Sequence, residues 1–275
     1  YYFLYEYLVL SRNYAIEILL ACCICLIIRK ASRHKTLLYY PLLFLMSNTH
    51  LLALVLAGCL HLYFLILDFE QEKDIKRIVF HVLAGGLVFF PSLYFIFPPS
   101  DSQLNTQYWI HRWNPEQIKT LGQAPLRSFV PIPAWWNHHF WNTQFLLDSP
   151  NKSKLLNLFV AVIALAMAFF ALYRNKKSLV VFLVNLFMSF MIALIVFPLT
   201  SGRYAGFLFI GFVIAYWLYC YEVSVTTKNN FLVNSLLIVQ ALTGFFMAIK
   251  DIRLPFSNAG KVNELLNSPP PNSKM

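Results

Sequence analysis

Apolar runs long enough to form helices follow one another along the chain, parted by short gaps rich in Lys and Arg. The first opens at Tyr5-Glu6-Tyr7, continues through Ile16 and Leu19-Leu20 to Ile28, and stops at Arg29-Lys30. The second, Thr36 to Leu67, would measure roughly 46 Å as a helix. One span of that length needs a tilt of about 50°, beyond the usual range. Ser47-Asn48-Thr49-His50 interrupts it with four polar residues. The pattern therefore predicts two spans, over 36–48 and 50–67, joined by a turn at Thr49-His50. A further span is predicted over 78–97, where Gly85-Gly86 and Pro91 allow close packing and a kink. Four more follow over 155–173, 179–199, 204–223 and 231–249. The expected fold is all-α, a polytopic transmembrane helix bundle of about eight spans.

Residues 1–250 read as one transmembrane module, interrupted by a single long loop over 99–154. That loop holds Tyr108-Trp109, Arg112-Trp113, Arg127-Ser128-Phe129-Val130-Pro131-Ile132-Pro133 and Trp135-Trp136-Asn137-His138-His139-Phe140-Trp141-Asn142, with five of the chain's 6 tryptophans. Its aromatic content argues against disorder. Two readings stand: an aromatic belt on the membrane surface, or a cover over a sugar-lipid site, with tryptophan faces stacking on sugar and Asn and His bonding to hydroxyls. Residues 251–275, ending in Pro269-Pro270-Pro271 and a short polar stretch, read as an extracytoplasmic tail or the start of a soluble domain. The chain opens on Tyr1 directly before a helix, so a longer protein is expected, of which this is an internal piece.

Composition supports the membrane reading. Of 275 residues, 59% are hydrophobic and 12% charged, with 26 Phe and 15 Tyr, beyond what a soluble domain carries. The net charge of +10 does not point to nucleic acid, because the basic residues gather in the gaps at 29–35, 73–77 and 174–177. Those gaps read as cytoplasmic by the positive-inside rule. The two-span reading of 36–67 keeps all three clusters on one side, and it places the long loop and the Thr200-Ser201-Gly202-Arg203-Tyr204 turn outside. The cysteines fit neither a zinc site nor a disulfide framework. No Walker motif, dinucleotide fingerprint or serine-hydrolase elbow is present.

The candidate chemistry lies in charged residues where a membrane helix tolerates few. Counting back from Arg29, Glu17 falls near mid-bilayer, Arg12 near the far interface and Glu6 beyond it. Glu6, Asn13 and Glu17 share a helix face by their spacing of seven and four. Arg203, alone in a tight outer turn, suits an anionic phosphate, or else carbonyls at a helix end. His50 lies nearby on the same side. Arg127, Trp141 and Asn142 of the loop complete the predicted substrate-binding set. His138-His139 is not read as a metal site, since adjacent residues on an extended segment face opposite ways and no carboxylate is closer than Asp148.

In their order, the opening Tyr5-Glu6-Tyr7 with Ser11-Arg12-Asn13-Tyr14-Ala15, then Asn48-Thr49-His50, the Phe129-Val130-Pro131-Ile132-Pro133 and Phe140-Trp141-Asn142 loop, Gly202-Arg203-Tyr204 and Pro255-Phe256-Ser257 resemble the GT-C superfamily of membrane glycosyltransferases. The likeness is to bacterial relatives of the dolichyl-phosphate-mannose protein mannosyltransferases. The resemblance implies a polyprenyl-phosphate-linked sugar donor, membrane lipids as surroundings, and transfer on the periplasmic face of a bacterial inner membrane. It places the catalytic base in a first outer loop, expected upstream of Tyr1, and Glu6 is the nearest acid on the right side. A divalent cation is left open, as is the acceptor. Arg12 and Arg203 are expected to hold the leaving phosphate, with His50 nearby. A transporter or flippase of lipid-linked saccharide would use the same intramembrane Glu17 and outer arginines, and a membrane scaffold is a third reading.

Overall fold

The computed structural model describes residues 2, 12–29, 35–96, 118, 121–137, 140, 142–149, 153–197, 199–223 and 227–253. Glu6, Trp141, His138-His139, Trp109, Trp113, Pro255-Phe256-Ser257 and the side chains of Arg12 and Asn13 lie outside the described residues. Among the described residues there are nine helices and no strand: α1 Arg12–Arg29, α2 Lys35–Ser47, α3 Leu51–Glu72, α4 Ile75–Ile96, α5 Ala124–Phe129, α6 Lys154–Leu172, α7 Lys176–Ile195, α8 Gly202–Glu222 and α9 Thr227–Arg253.

Six of them, α3, α4, α6, α7, α8 and α9, are long and apolar enough to cross a membrane, and the chain reads as an integral membrane protein. The expected eight is not reached on length and composition alone. Helix α1 carries Arg12, Glu17 and Arg29 within 18 residues, and α2 has only 13 residues, about 20 Å against a hydrocarbon core of about 30 Å.

The break inside 36–67 lies where the polar run predicts it. Helix α2 ends at Ser47, and α3 starts after His50, whose Nδ1 accepts the Leu52 N–H at 3.2 Å as an N-cap. Helix α7 begins three residues earlier than its apolar run. Asn175 caps it by accepting from the Lys177 and Ser178 N–H groups, so two lysines join the first turn. The long loop contains a helix its composition hides. The segment of α5 is six residues long, too short to show a period, and Pro125 in its first turn suits a helix start. It buries Ala124, Pro125, Leu126, Ser128 and Phe129.

Helices α3 and α8 are the centre of the bundle, with 61% and 67% of their apolar windows buried, whereas α4 at 17% lies at the rim. Helix α8 packs on α7, α5 and α1, and α3 packs on α7, α2 and α4. Glycine permits two close approaches. A Cβ at Gly85 would stand 2.2 Å from His61 Nε2, and one at Gly211 would stand 2.1 Å from Asn185 Nδ2. Polar pairs lock the short α2 in place: Tyr39 OH to His61 Nδ1 at 3.2 Å, Tyr40 OH to His81 Nδ1 at 2.6 Å and Ser47 to Ser92 at 2.8 Å. Buried Asp68 meets Arg77 at 2.8 Å.

Helices α1 and α8 run in the same direction. Tyr14 meets Phe207 near their starts, at 5.6 Å between ring centroids. The Arg29 guanidinium lies over the Tyr221 ring near their ends. At that far end Lys177 bridges Glu70 and Glu222 at 2.6 and 2.8 Å, Tyr63 OH donates to Glu222 at 2.8 Å and Asn175 donates to it at 3.0 Å. The opposite end, where α1 and α8 begin, carries the site.

Candidate functional site

The first turn of α8 is the meeting point. Its Gly202 N–H, one of the groups a helix start leaves without an intrahelical partner, donates to Asn142 Oδ1 at 2.6 Å. Asn142 is held for this task in the left-handed region, φ 61°, a conformation that Asn tolerates better than most residues. Its carbonyl accepts from Arg127 Nη1 at 2.9 Å, while the Arg127 carbonyl accepts from Tyr2 OH. Tyr2, Arg127, Pro131, Asn142, Thr143, Gln144 and Gly202 line one small cleft. Three segments distant in sequence thus converge on this cleft.

Burial pushes the Arg127 pKa down, and the Asp148 carboxylate and the Tyr2 hydroxyl offset part of that; its Nε is buried with no hydrogen-bond partner among the described residues. The loop is braced beneath it. Gln144 donates from its side chain to the Val130 carbonyl at 3.2 Å and accepts from Leu147 N–H at 2.8 Å, and its own N–H donates to Asp148 Oδ2 at 2.7 Å. Arg203, next to Gly202, is exposed. Its Nε donates to Ser201 Oγ at 3.3 Å, and its guanidinium lies 5.7 Å from the centroid of Tyr204.

Tyr204 carries the arrangement to His50. The two rings are stacked at 5.9 Å, 9° from parallel, and His50 also stacks on Phe207 at 5.8 Å. Because His50 Nδ1 accepts the Leu52 N–H, the neutral ring carries its proton on Nε2, which faces Tyr14 OH at 3.5 Å. His50 therefore pins the α2–α3 turn between α1 and α8. One turn further along α1, Glu17 is 1% exposed. Neither carboxylate oxygen has a hydrogen-bond partner among the described residues. Thr49 acts on it from the same turn, but the Thr49 hydroxyl gives its proton to the Met46 carbonyl at 2.8 Å.

Of the predicted residues, Arg127, Asn142, Arg203, His50 and Glu17 lie along this end of the bundle, and Arg12 opens α1 there. Trp141 and Glu6 lie outside the described residues. Tyr2, Gln144 and Asp148 were not singled out from the sequence as binding residues. No local pattern marks them, since each acquires its place from loop packing. Tyr14 and Tyr204 stood inside quoted motifs and prove to be the contacts of His50. Among the described residues no group of three His, Cys, Asp or Glu could hold a metal ion.

The arrangement suits an anion. A helix start presents partial positive charge, Arg203 flanks it in the open, and Arg127 stands behind it with its Nε unpartnered among the described residues. No family model, no curated protein and no solved structure matches the chain.

Proposed function

We propose that the protein is a membrane glycosyltransferase that moves a sugar from a polyprenyl-phosphate donor to an acceptor hydroxyl on the extracytoplasmic face of a bacterial inner membrane, with α1 and the short α2 serving as spans beside the six long apolar helices. The observation that supports this reading is the cleft that Arg127, Asn142 and Gly202 line at the first turn of α8, with Arg203 exposed beside Gly202 and Glu17 buried one helical turn beyond Tyr14, its oxygens without a hydrogen-bond partner among the described residues. In the transfer, the acceptor oxygen bonds to the anomeric carbon while the bond from that carbon to the phosphate oxygen breaks. The leaving phosphate takes the electron pair. Arg203, Arg127 and the start of α8 stabilise that developing charge, the role in which fixed cationic donors contribute most. Glu17 accepts hydrogen bonds from sugar hydroxyls, and Arg12 supports the phosphate from the start of α1. The acceptor proton passes to a carboxylate, and Glu6 is this chain's candidate for that base.

The test is release of polyprenyl phosphate from a radiolabelled polyprenyl-phosphate hexose in proteoliposomes. Arg203→Ala and Arg12→Ala are each expected to lower the rate about 100-fold or more while the protein remains folded in the membrane. Normal turnover in both would overturn the reading. A second reading, transport of a lipid-linked saccharide, draws on Glu17 and on the buried Asp68 and His81 within α3 and α4, since intramembrane charge also marks transport paths. Movement of labelled donor across the bilayer without loss of its sugar would favour it.

A further inference from the structure

The loop that walls the cleft also meets α9. Ile132, Pro133 and Trp135 of the loop face Val239, Leu242, Thr243 and Phe246 of α9 across a groove of about 210 Å³. Thr243 is the one polar residue lining it. The groove covers about 10 Å along the half of α9 nearest Arg253, at the end of the bundle where α8 starts, since the Lys250 ammonium, one turn beyond Phe246, donates to the Trp135 carbonyl at 2.5 Å. That ammonium lies 4.7 Å from the Phe140 ring centroid and 5.8 Å from that of Phe246. Among the described residues no carboxylate is within ion-pair distance of it. Trp135 and Trp136, 52% and 44% exposed, stand edge to face beside the mouth, as aromatics do at headgroup level.

An apolar slot on a membrane-crossing helix is bathed in hydrocarbon. A cation on a stem packed between two rings, at the slot's interfacial mouth, selects what the hydrocarbon is attached to. We propose that this groove is a binding site for one anionic phospholipid, with an acyl chain between Ile132-Pro133-Trp135 and α9 and the headgroup phosphate on Lys250. The bound lipid braces the segment that holds Asn142 against α8, because Thr143, which accepts from the Ala134 N–H at 2.9 Å, ties the groove wall to the cleft wall. The groove shares no lining residue with the cleft at the start of α8.

The experiment is native mass spectrometry of the protein released from neutral detergent, titrated with phosphatidylglycerol, phosphatidylcholine or a polyprenyl phosphate. One phosphatidylglycerol is expected to be retained in preference to phosphatidylcholine by roughly fivefold, the factor one lysine contributes against an anionic headgroup. Lys250→Gln should bring that ratio to about one. Val239→Trp, at a half-buried position, should lower retention of both phospholipids by filling the slot, while Arg203→Ala should leave both unchanged. Equal retention of the two phospholipids by the unaltered protein would overturn the proposal. So would displacement of phosphatidylglycerol by polyprenyl phosphate in a manner that Val239→Trp abolishes, since the slot would then belong to the donor. Loss of sugar transfer in Arg203→Ala bears on the glycosyltransferase reading alone.

Discussion

Replacing Gly211 by Ala tests how α8 is held against α7. The added Cβ would stand 2.1 Å from Asn185 Nδ2 and 2.6 Å from its Cγ, where about 3.4 Å or more is ordinary contact. Asn185 is buried, and its Nδ2 donates to the Phe207 carbonyl at 3.4 Å. It must swing away, or α8 must lift by more than an ångström. Overpacking of this kind costs about 1 to 3 kcal/mol. Loss of the interhelical hydrogen bond adds about 0.6 kcal/mol in a membrane setting, and the better helix propensity of Ala returns up to about 1 kcal/mol. The net expectation is a destabilisation of about 0.6 to 3.6 kcal/mol. Thermal unfolding in detergent, followed by loss of monodisperse protein, should show a midpoint lowered by several degrees. Asn185→Ala removes the obstructing amide, so Gly211→Ala should cost almost nothing in that background. A single variant as stable as the parent, or a cost that persists without Asn185, would refute the packing argument.

The remaining predictions concern single contacts. Asn142→Gly keeps the left-handed backbone and loses only the Gly202 cap, about 1 kcal/mol. Asn142→Ala adds the strain of φ 61°, about 1 kcal/mol more, so chemical unfolding should rank the alanine variant below the glycine one. Tyr63→Phe deletes a 2.8 Å donor to the Glu222 carboxylate and should cost about 1.5 to 3 kcal/mol. Lys177→Gln leaves Glu70 and Glu222 facing each other with no cation between them, and high salt should restore part of the lost stability by screening. Tyr40→Phe removes the 2.6 Å hydrogen bond between the Tyr40 hydroxyl and the buried His81 Nδ1 and should cost about 1 to 3 kcal/mol in the same assay.

Much of the helical order is visible in the sequence, for a physical reason: each apolar run is its own signal, and the polar run at Ser47 to His50 is too hydrophilic to sit inside a single helix. The beginning of α7 is a local matter as well, set by the cap at Asn175. What stayed hidden depends on distance along the chain. Asn142 meets Gly202 across 60 residues, Tyr2 meets Arg127 across 125, and neither pairing leaves a spacing to read. The aromatic segment around Arg127 shows its content but not its helix, because α5 buries five of its six residues by tertiary contact and not by period. Glu17 shows the converse. Its charge in an apolar run marks it from the sequence alone, and the structure adds that its oxygens find no hydrogen-bond partner among the described residues.

The account stands most directly on the cleft at the start of α8 as an anion site for a lipid phosphate. The measurement is equilibrium binding of a polyprenyl phosphate and of the uncharged polyprenol of the same length to the protein in nanodiscs, for the unaltered chain, Arg203→Ala and Arg127→Ala. The account predicts that the phosphate binds at least tenfold more tightly than the alcohol, a difference of about 1.4 kcal/mol, and that each substitution removes most of that difference while leaving alcohol binding unchanged. Equal binding of the two lipids by the unaltered protein, or an undiminished preference in both variants, would contradict it.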